Sequence, residues 1–189
     1  MKLVNFDLSH LPVYIMSEDQ LSAYSVYMST LGNRPDLFPT DQYPNASRRE
    51  DYLDYDVPPE ALEDEVFAAM LTEAEKYLGM PYVWGGSSPS TSFDCSGFVC
   101  WVFTNSGVHS LPRTTAQGIY DQCTPVSAAD AKAGDIIFFT GTYNSGGAVS
   151  HVGIYCGNGV MIHCGDPIKY ASINTSYWQS HFYAFGRLN

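Results

Sequence analysis

The part of the chain after Gly134 consists of short apolar runs separated by turn residues. The run at 135–139 is continuous and typical of a buried strand. Shorter candidates follow at 149–155, 160–164, 168–173 and 182–188, each bounded by Gly, Asn or Ser. Helical patterns precede them. Helices followed by a meander of strands are typical of an α+β fold with a central antiparallel sheet.

The helical region begins at a proline pair. Pro58 and Pro59 precede a run of acidic residues, and Gly79 then Pro81 end the pattern, which predicts one helix of about five turns. Its expected apolar stripe is Leu62, Val66, Met70, Ala74 and Tyr77. A second helix is predicted over 94–105. Residues 59–189 are therefore expected to form one domain.

Residues 1–58 are expected to be an accessory segment or linker. Ser17 begins a Ser-x-x-Gln capping box, so a short helix is predicted after it, followed by proline-broken loops. No catalytic grouping of side chains occurs in this segment. The first residues also lack the sustained apolar stretch of a signal peptide. An export signal, if there is one, is expected upstream of this sequence.

Composition excludes several classes of partner. The net charge of −11 disfavours nucleic acid and anionic membranes, which attract basic proteins. No apolar run approaches the roughly 18 residues of a membrane-spanning helix, so membrane insertion is not expected. The five cysteines form an odd set without framework spacing, and free thiols are expected.

Cys95 opens the second predicted helix and admits two interpretations. It shares a helix face with apolar residues, as a packed core thiol would. Its place in the first turn favours a thiolate instead, because unpaired N–H groups and the helix dipole lower the pKa of a thiol there. The charge of the adjacent Asp94 opposes that effect. Taken alone, Cys95 does not decide between packing and chemistry.

Two histidines flank a predicted hairpin whose turn contains Gly157-Asn158-Gly159. A two-residue loop would place His151 and His163 on opposite faces of the sheet. A three-residue loop with left-handed Gly159 would set Gly153 opposite His163 and bring both histidines onto one face. We favour the three-residue loop because it places His151, the candidate base, within reach of His163, which would orient it.

This arrangement predicts a thiol hydrolase. Cys95 would attack a carbonyl, His151 would take its proton, and His163 would hold His151 in the useful tautomer. A backbone N–H at the helix start and Tyr82 would stabilise the oxyanion. A zinc site at Cys95, His151, His163 and Cys164 is disfavoured, because adjacent residues of a strand face opposite sides and no Cys-x-x-Cys spacing occurs. No metal or other cofactor is expected.

Six motifs in order resemble those of the NlpC-type cell-wall cysteine peptidases. They are Pro81-Tyr-Val-Trp-Gly-Gly86, Phe93-Asp-Cys-Ser-Gly-Phe-Val99, Leu111-Pro-Arg-Thr-Thr-Ala-Gln117, Gly134-Asp-Ile-Ile-Phe-Phe139, His151-Val-Gly-Ile-Tyr155 and Met161-Ile-His163. The resemblance runs from about residue 64 to 188. It implies a papain-like α+β fold, a Cys95-His151-His163 triad and endopeptidase hydrolysis of peptidoglycan stem peptides, most often between D-glutamate and the diamino acid.

The resemblance also assigns roles around the thiol. Tyr82 matches the tyrosine beside the thiol, and Asp94 and Ser96 match positions that contact the amino end of the substrate in some members. Arg113 either meets a substrate carboxylate or braces its loop. Related thiol folds include N-acetylmuramoyl-L-alanine amidases and acyltransferases, and a non-catalytic wall-binding module is the third alternative.

Residues 1–58 resemble the segment before the peptidase domain in cell-wall hydrolases of conjugative mobile elements. Such hydrolases often carry an upstream glycan-cleaving domain. The resemblance therefore implies a peptidase part of a longer hydrolase that acts outside the cell or in the cell wall of a bacterium.

Overall fold

The computed structural model describes Tyr55 and residues 57–188 of the chain. The helices are α1 (Pro59–Leu62), α2 (Glu65–Glu75), α3 (Cys95–Asn105), α4 (Ala116–Tyr120) and α5 (Ser176–His181). The strands are β1 (Ser87–Ser88), β2 (Ser92–Phe93), β3 (Thr124–Val126), β4 (Ile136–Phe139), β5 (His151–Gly157), β6 (Val160–Cys164), β7 (Ile168–Ser172) and β8 (Phe182–Arg187). The accessory segment predicted for 1–58, including its helix after Ser17, lies outside the described residues except for Tyr55, Val57 and Pro58.

The sheet has the predicted character. Strands β3 to β8 form one antiparallel sheet in the order β3-β8-β4-β5-β6-β7, while β1 and β2 form a separate short hairpin. All five strand regions predicted after Gly134 are confirmed within two residues at each end. The sequence pattern missed β1, β2, β3, α4 and α5. These strands have two or three residues and these helices five or six, fewer than two helical turns, so none shows a clear period. Among the described residues, no helix is long and apolar enough to cross a membrane.

The single helix predicted after Pro59 is wrong, because the chain breaks it at Asp64. The carboxylate of Asp64 accepts hydrogen bonds from Val66 N–H and Phe67 N–H and so caps a new helix, α2. The break also rotates the buried face. Leu62 and Val66, expected in the apolar stripe, are 45% and 52% exposed.

Helix α2 packs on α3 through apolar side chains and one buried carboxylate. Glu73 accepts hydrogen bonds from Tyr77 Oη at 2.6 Å and Trp101 Nε1 at 3.3 Å, and it forms an ion pair with Lys76. Burial raises the pKa of Glu73, but these hydrogen bonds outweigh burial and the net shift is downward. The pair of helices is therefore joined by a satisfied polar group as well as by apolar area.

The sheet separates two apolar cores. Successive residues of a strand point to opposite faces, so Ile136, Phe138, Val152 and Ile154 lie in the first core beneath α2 and α3. The alternate positions lie in the second core, against α5. Its buried members are Ile137, Phe139, Met161, Ile173, Trp178 and Phe185. The thiol helix and helix α5 thus cover opposite faces of one sheet.

Candidate active site

The β5–β6 hairpin has the predicted register but not the predicted loop. The turn is the two-residue Asn158-Gly159, with φ of 49° and 74°, and a bulge between Tyr155 and Gly157 supplies the extra residue. Ile154 pairs with Ile162, which sets Gly153 opposite His163. The prediction of a three-residue loop is therefore wrong, while the predicted register, with Gly153 opposite His163, is confirmed.

This register joins the two histidines. His151 pairs with Phe139 of β4 and points into the second core, and His163 lies on the same face of β6. His151 Nε2 lies 2.9 Å from His163 Nδ1. Glycine at position 153 leaves room for the imidazole of His163, because a Cβ there would lie 3.1 Å from His163 Cβ.

Both histidines are buried, and burial lowers the pKa of each. The pKa of His151 falls to about 3, and that of His163 falls well below its ordinary range, helped by the charges of His151 and Lys169. The pair is consequently neutral at physiological pH. In a neutral pair one ring donates and the other accepts. If His151 Nε2–H is the donor, its Nδ1 remains free as a base.

Cys95 is the first residue of α3 and lies at the start of β5. The backbone N–H groups of Ser96 and Val152 lie near its sulfur and act to lower its pKa, and Val152 directly follows His151. The thiol comes from the first-core face of the sheet and the histidines from the second. The Cys95 sulfur therefore lies beside the residue of β5 that directly follows His151.

Of the opposing effects expected on the Cys95 pKa, those that raise it prevail. Burial and the charge of Asp94 raise it to about 12, against the opposing effect of the Ser96 and Val152 N–H groups and of Arg113. Desolvation of a thiolate that is 4% exposed outweighs the helix-terminus effect. Burial thus favours the neutral form of the thiol and of the imidazole.

Tyr82 lies buried beside the thiol, as predicted. The segment that carries it is held by a bridge between Tyr82 and Phe93 and by a 3.2 Å hydrogen bond from Tyr82 N–H to Asp166 Oδ1. Burial, with the neighbouring charges of Cys95 and Asp94, raises the pKa of Tyr82 far above its ordinary value. The phenol thus keeps its proton and is able to donate a hydrogen bond.

Asp94, Ser96 and Arg113 form one closed group. Asp94 caps α3 through Gly97 N–H at 2.7 Å and accepts from Ser96 Oγ at 3.0 Å. Its second oxygen accepts from Gly85 N–H and forms an ion pair with Arg113, which also donates to Ser96 Oγ at 2.9 Å. These contacts favour the bracing role for Arg113.

Gly97 permits the close approach that holds the 82–86 segment against the helix. A Cβ at position 97 would lie 2.1 Å from the Gly86 carbonyl oxygen. That oxygen accepts a 3.0 Å hydrogen bond from Asp94 N–H. A side chain at position 97 would push the loop away and break this bond.

Sequence reasoning missed several residues that surround the site. Trp178 of α5 stacks on His151, and Lys169 of β7 pairs across the ladder with His163. Extending the hairpin register past the Gly165-Asp166-Pro167 turn would have found Lys169, whereas no local signal pointed to Trp178. Tyr143 packs edge-on against Trp84, and the Trp84 side chain is 53% exposed. Burial and the charges of Cys95 and Asp94 raise the pKa of Tyr143 to about 12.

The remaining thiols match their predicted structural roles. All five cysteines are free, with Cys100 and Cys156 buried and Cys123 partly so. Cys164 is buried and donates to the Phe93 carbonyl at 3.2 Å. Within the part of the chain that the structure describes, no group of three or more His, Cys, Asp or Glu side chains is arranged to hold a metal ion.

Known proteins share this sequence and architecture. The chain is similar to the bifunctional muramidase/DL-endopeptidase CwlT of Bacillus subtilis, 46% identical over 125 residues that make up 66% of this chain and 37% of that protein. It is also similar to the gamma-DL-glutamyl hydrolase of the same organism, 40% identical over 113 residues, 59% of this chain and 27% of that protein. The chain thus spans between 27% and 37% of the length of these relatives.

The fold is also found among solved structures. A protein of the NLP/P60 family from Staphylococcus aureus, described as similar to a lipoprotein, is 37% identical and superposes with a TM-score of 0.64 over 92% of this chain and 62% of its own. The profile of the NlpC/P60 family matches residues 79–187, a span that includes the thiol, both histidines and Tyr82. With more than half of its length inside that profile, this chain belongs to the NlpC/P60 family.

Proposed function

We propose that the chain is a cysteine endopeptidase that hydrolyses peptidoglycan stem peptides through Cys95, His151 and His163. The observation that carries this proposal is the 2.9 Å contact between His151 Nε2 and His163 Nδ1, on a strand whose next residue, Val152, lies near the Cys95 sulfur. The DL-endopeptidase and gamma-DL-glutamyl hydrolase names of the relatives support the bond between D-glutamate and the diamino acid.

The chemistry begins from a neutral thiol and imidazole. His151 Nδ1 takes the thiol proton as the sulfur bonds to the scissile carbonyl carbon. His163 Nδ1 accepts from His151 Nε2–H and keeps that tautomer in place. The resulting oxyanion receives a hydrogen bond from the Tyr82 phenol and from a backbone N–H at the start of α3.

The second half of the reaction restores the thiol. The carbon–nitrogen bond breaks as imidazolium His151 gives its proton to the leaving amine. Water, activated by the neutral imidazole, then attacks the thioester. The carbon–sulfur bond breaks, and the sulfur takes back a proton from His151. Products are a peptide carboxylate and a new amino terminus.

The amino end of the stem peptide is proposed to contact Asp94 and Ser96, with Arg113 bracing that pair. Asp94 is already engaged by Arg113 and by two backbone N–H groups. An ammonium group would add to this network rather than replace a partner. The test is a pair of substrates, one with a free amino end and one acetylated there. Equal kcat/KM for both would contradict the assignment.

The first test of the function uses muropeptides and mass spectrometry. Wild-type chain is expected to release fragments with a new amino terminus on the diamino acid, while Cys95→Ala and His151→Ala release none and stay folded by circular dichroism. Fragments ending at muramic acid and L-alanine would identify an amidase instead. Cross-linked products would identify an acyltransferase. Unchanged turnover by Cys95→Ala would end the thiol mechanism, and a folded wild type that binds without cleaving would identify a wall-binding module.

The natural protein is proposed to be a longer cell-wall hydrolase acting outside the cell or in the wall. CwlT, which is bifunctional and carries a muramidase activity, is much longer than the matched region. That is in line with an upstream glycan-cleaving domain. The proposed origin in a conjugative element stays a prediction, and the genes that flank the natural coding sequence would test it.

A further inference from the structure

Trp178 is delivered to the histidine pair by helix α5. Its backbone N–H donates to Thr175 Oγ1 at 3.3 Å, which caps the helix, and Gln179 Nε2 donates to the Ile173 carbonyl at 2.8 Å. The Trp178 side chain is 1% exposed and lies in the second core. The orientation of the ring is therefore set by the cap and by the packing around it.

The indole contacts both imidazoles in different geometries. The Trp178 ring stacks on His151 with centroids 5.4 Å apart and planes 25° apart. It meets His163 nearly at a right angle, with centroids 5.3 Å apart. Phe139 packs on Trp178 at 4.5 Å and holds it from another side. One ring thus contacts both members of the hydrogen-bonded pair.

The polar atom of the indole does not account for this placement. Among the described residues, Trp178 Nε1 has no hydrogen-bond partner. A buried tryptophan usually satisfies this N–H group. The contact with His151 is made by the face of the ring.

An aromatic face has a specific effect on a histidine that must become charged. His151 accepts a proton in every turnover, and its imidazolium forms where water is excluded. The negative face of an indole attracts a cation stacked on it, with tryptophan the strongest of the aromatic side chains and a value of about 0.5–2 kcal/mol. This attraction acts on the imidazolium and not on the neutral ring.

We propose that Trp178 is a positioning residue of the catalytic centre, whose indole face holds the His151 ring in the plane that meets His163 and stabilises the His151 imidazolium. The proposal rests on the proposed function, since it assigns His151 the role of base. Trp178 acts through His151, because a side chain so deeply buried does not reach a substrate.

The experiment compares three variants of the full chain. Trp178→Leu removes the aromatic face, Trp178→Phe keeps a weaker one, and Phe185→Leu is the matched control, because Phe185 lies in the same core and its ring contacts are with Tyr155 and Phe182. Each variant is assayed for kcat, KM and the rate of Cys95 alkylation by iodoacetamide at pH 7.5. Alkylation needs no peptidoglycan substrate.

Trp178→Leu is expected to lower kcat and the alkylation rate together by about 2- to 30-fold with KM unchanged, which is the cation–π range expressed as a rate. Trp178→Phe is expected to have a kcat and an alkylation rate between those of wild type and Trp178→Leu. If Trp178→Leu does not fold, the comparison of Trp178→Phe with wild type is the test. Phe185→Leu is expected to lose thermal stability only. The proposal would be overturned if folded Trp178 variants were alkylated at the wild-type rate. It would also be overturned if Phe185→Leu lowered kcat and the alkylation rate as much as Trp178→Leu does. A wild type that is alkylated but cleaves no peptidoglycan would instead count against the proposed function.

Discussion

Replacing His163 separates the role of its acceptor nitrogen from the role of its bulk. In the native site His151 Nε2 lies 2.9 Å from His163 Nδ1, and the two side chains are 2% and 0% exposed. His163→Ala removes the acceptor of the His151 Nε2–H group in a buried site. An unsatisfied buried donor costs about 1–3 kcal/mol. Carried into the barrier, that loss lowers kcat by about 5- to 150-fold.

His163→Asn is the matched variant, because Asn Oδ1 stands the same number of bonds from Cβ as His Nδ1. An oxygen there accepts from His151 Nε2–H and preserves the tautomer. We expect His163→Asn to recover most of the activity that His163→Ala loses, with KM similar in both.

The assay is the initial rate of muropeptide cleavage, followed by liquid chromatography and mass spectrometry at pH 7.5. Urea unfolding of each variant reports how much of its loss is stability. If alanine and asparagine at position 163 give the same kcat, the acceptor is not what His163 contributes. Wild-type kcat in both would refute the triad assignment altogether.

Three further outcomes follow from the packing and the charges. Gly153→Ala places a Cβ 3.1 Å from the Cβ of His163, so we expect a loss of about 1–3 kcal/mol in unfolding free energy and a lower kcat. Gly147→Ala is the control in thermal melts, because its added Cβ meets the flexible end of the Gln117 side chain. Glu73→Gln removes a carboxylate whose pKa is lower in the folded protein than its ordinary value of 4.5. The ionised carboxylate therefore stabilises the fold fully at pH values above 4.5, and this stabilisation is lost as the pH falls through the pKa of the folded state. The variant should therefore be less stable than wild type in urea at pH 7, with a smaller difference at pH 3.5; a constant difference would contradict this. Cys95, with its pKa raised to about 12, should react with iodoacetamide slowly at pH 7 and faster as pH rises, and rapid selective labelling at pH 7 would show that the thiolate forms more readily than burial implies.

Local patterns in the sequence determined most of the elements and part of the site. The hairpin register is local, because Gly157, Asn158 and Gly159 all adopt positive φ and the strands are adjacent in the chain. The cap of α3 is local as well, because Asp94 directly precedes the helix and accepts from Gly97 N–H. These features depend on neighbours within a few residues, so their signals are written in the order of the sequence.

Tertiary structure decided the electrostatics and the surroundings of the thiol. The sequence set a helix start that lowers the Cys95 pKa against the charge of Asp94 that raises it, and burial among residues from distant elements decides for the raised value. Arg113 meets Asp94 across 19 positions of the chain, and Trp178 reaches His151 from the far end of the domain. Desolvation and ring contacts depend on which elements pack together.

The sequence by itself therefore determined the α+β class, the strand order along the chain, the identity of Cys95, His151 and His163 as candidates, and the face that the two histidines share. Only the packed structure decided that burial raises the pKa of the thiol, that Asp94 is engaged by Arg113, and that an indole lies against both imidazoles. The physical reason is range. Backbone conformation responds to adjacent residues, whereas pKa values and stacking respond to whatever the fold brings within a few ångströms.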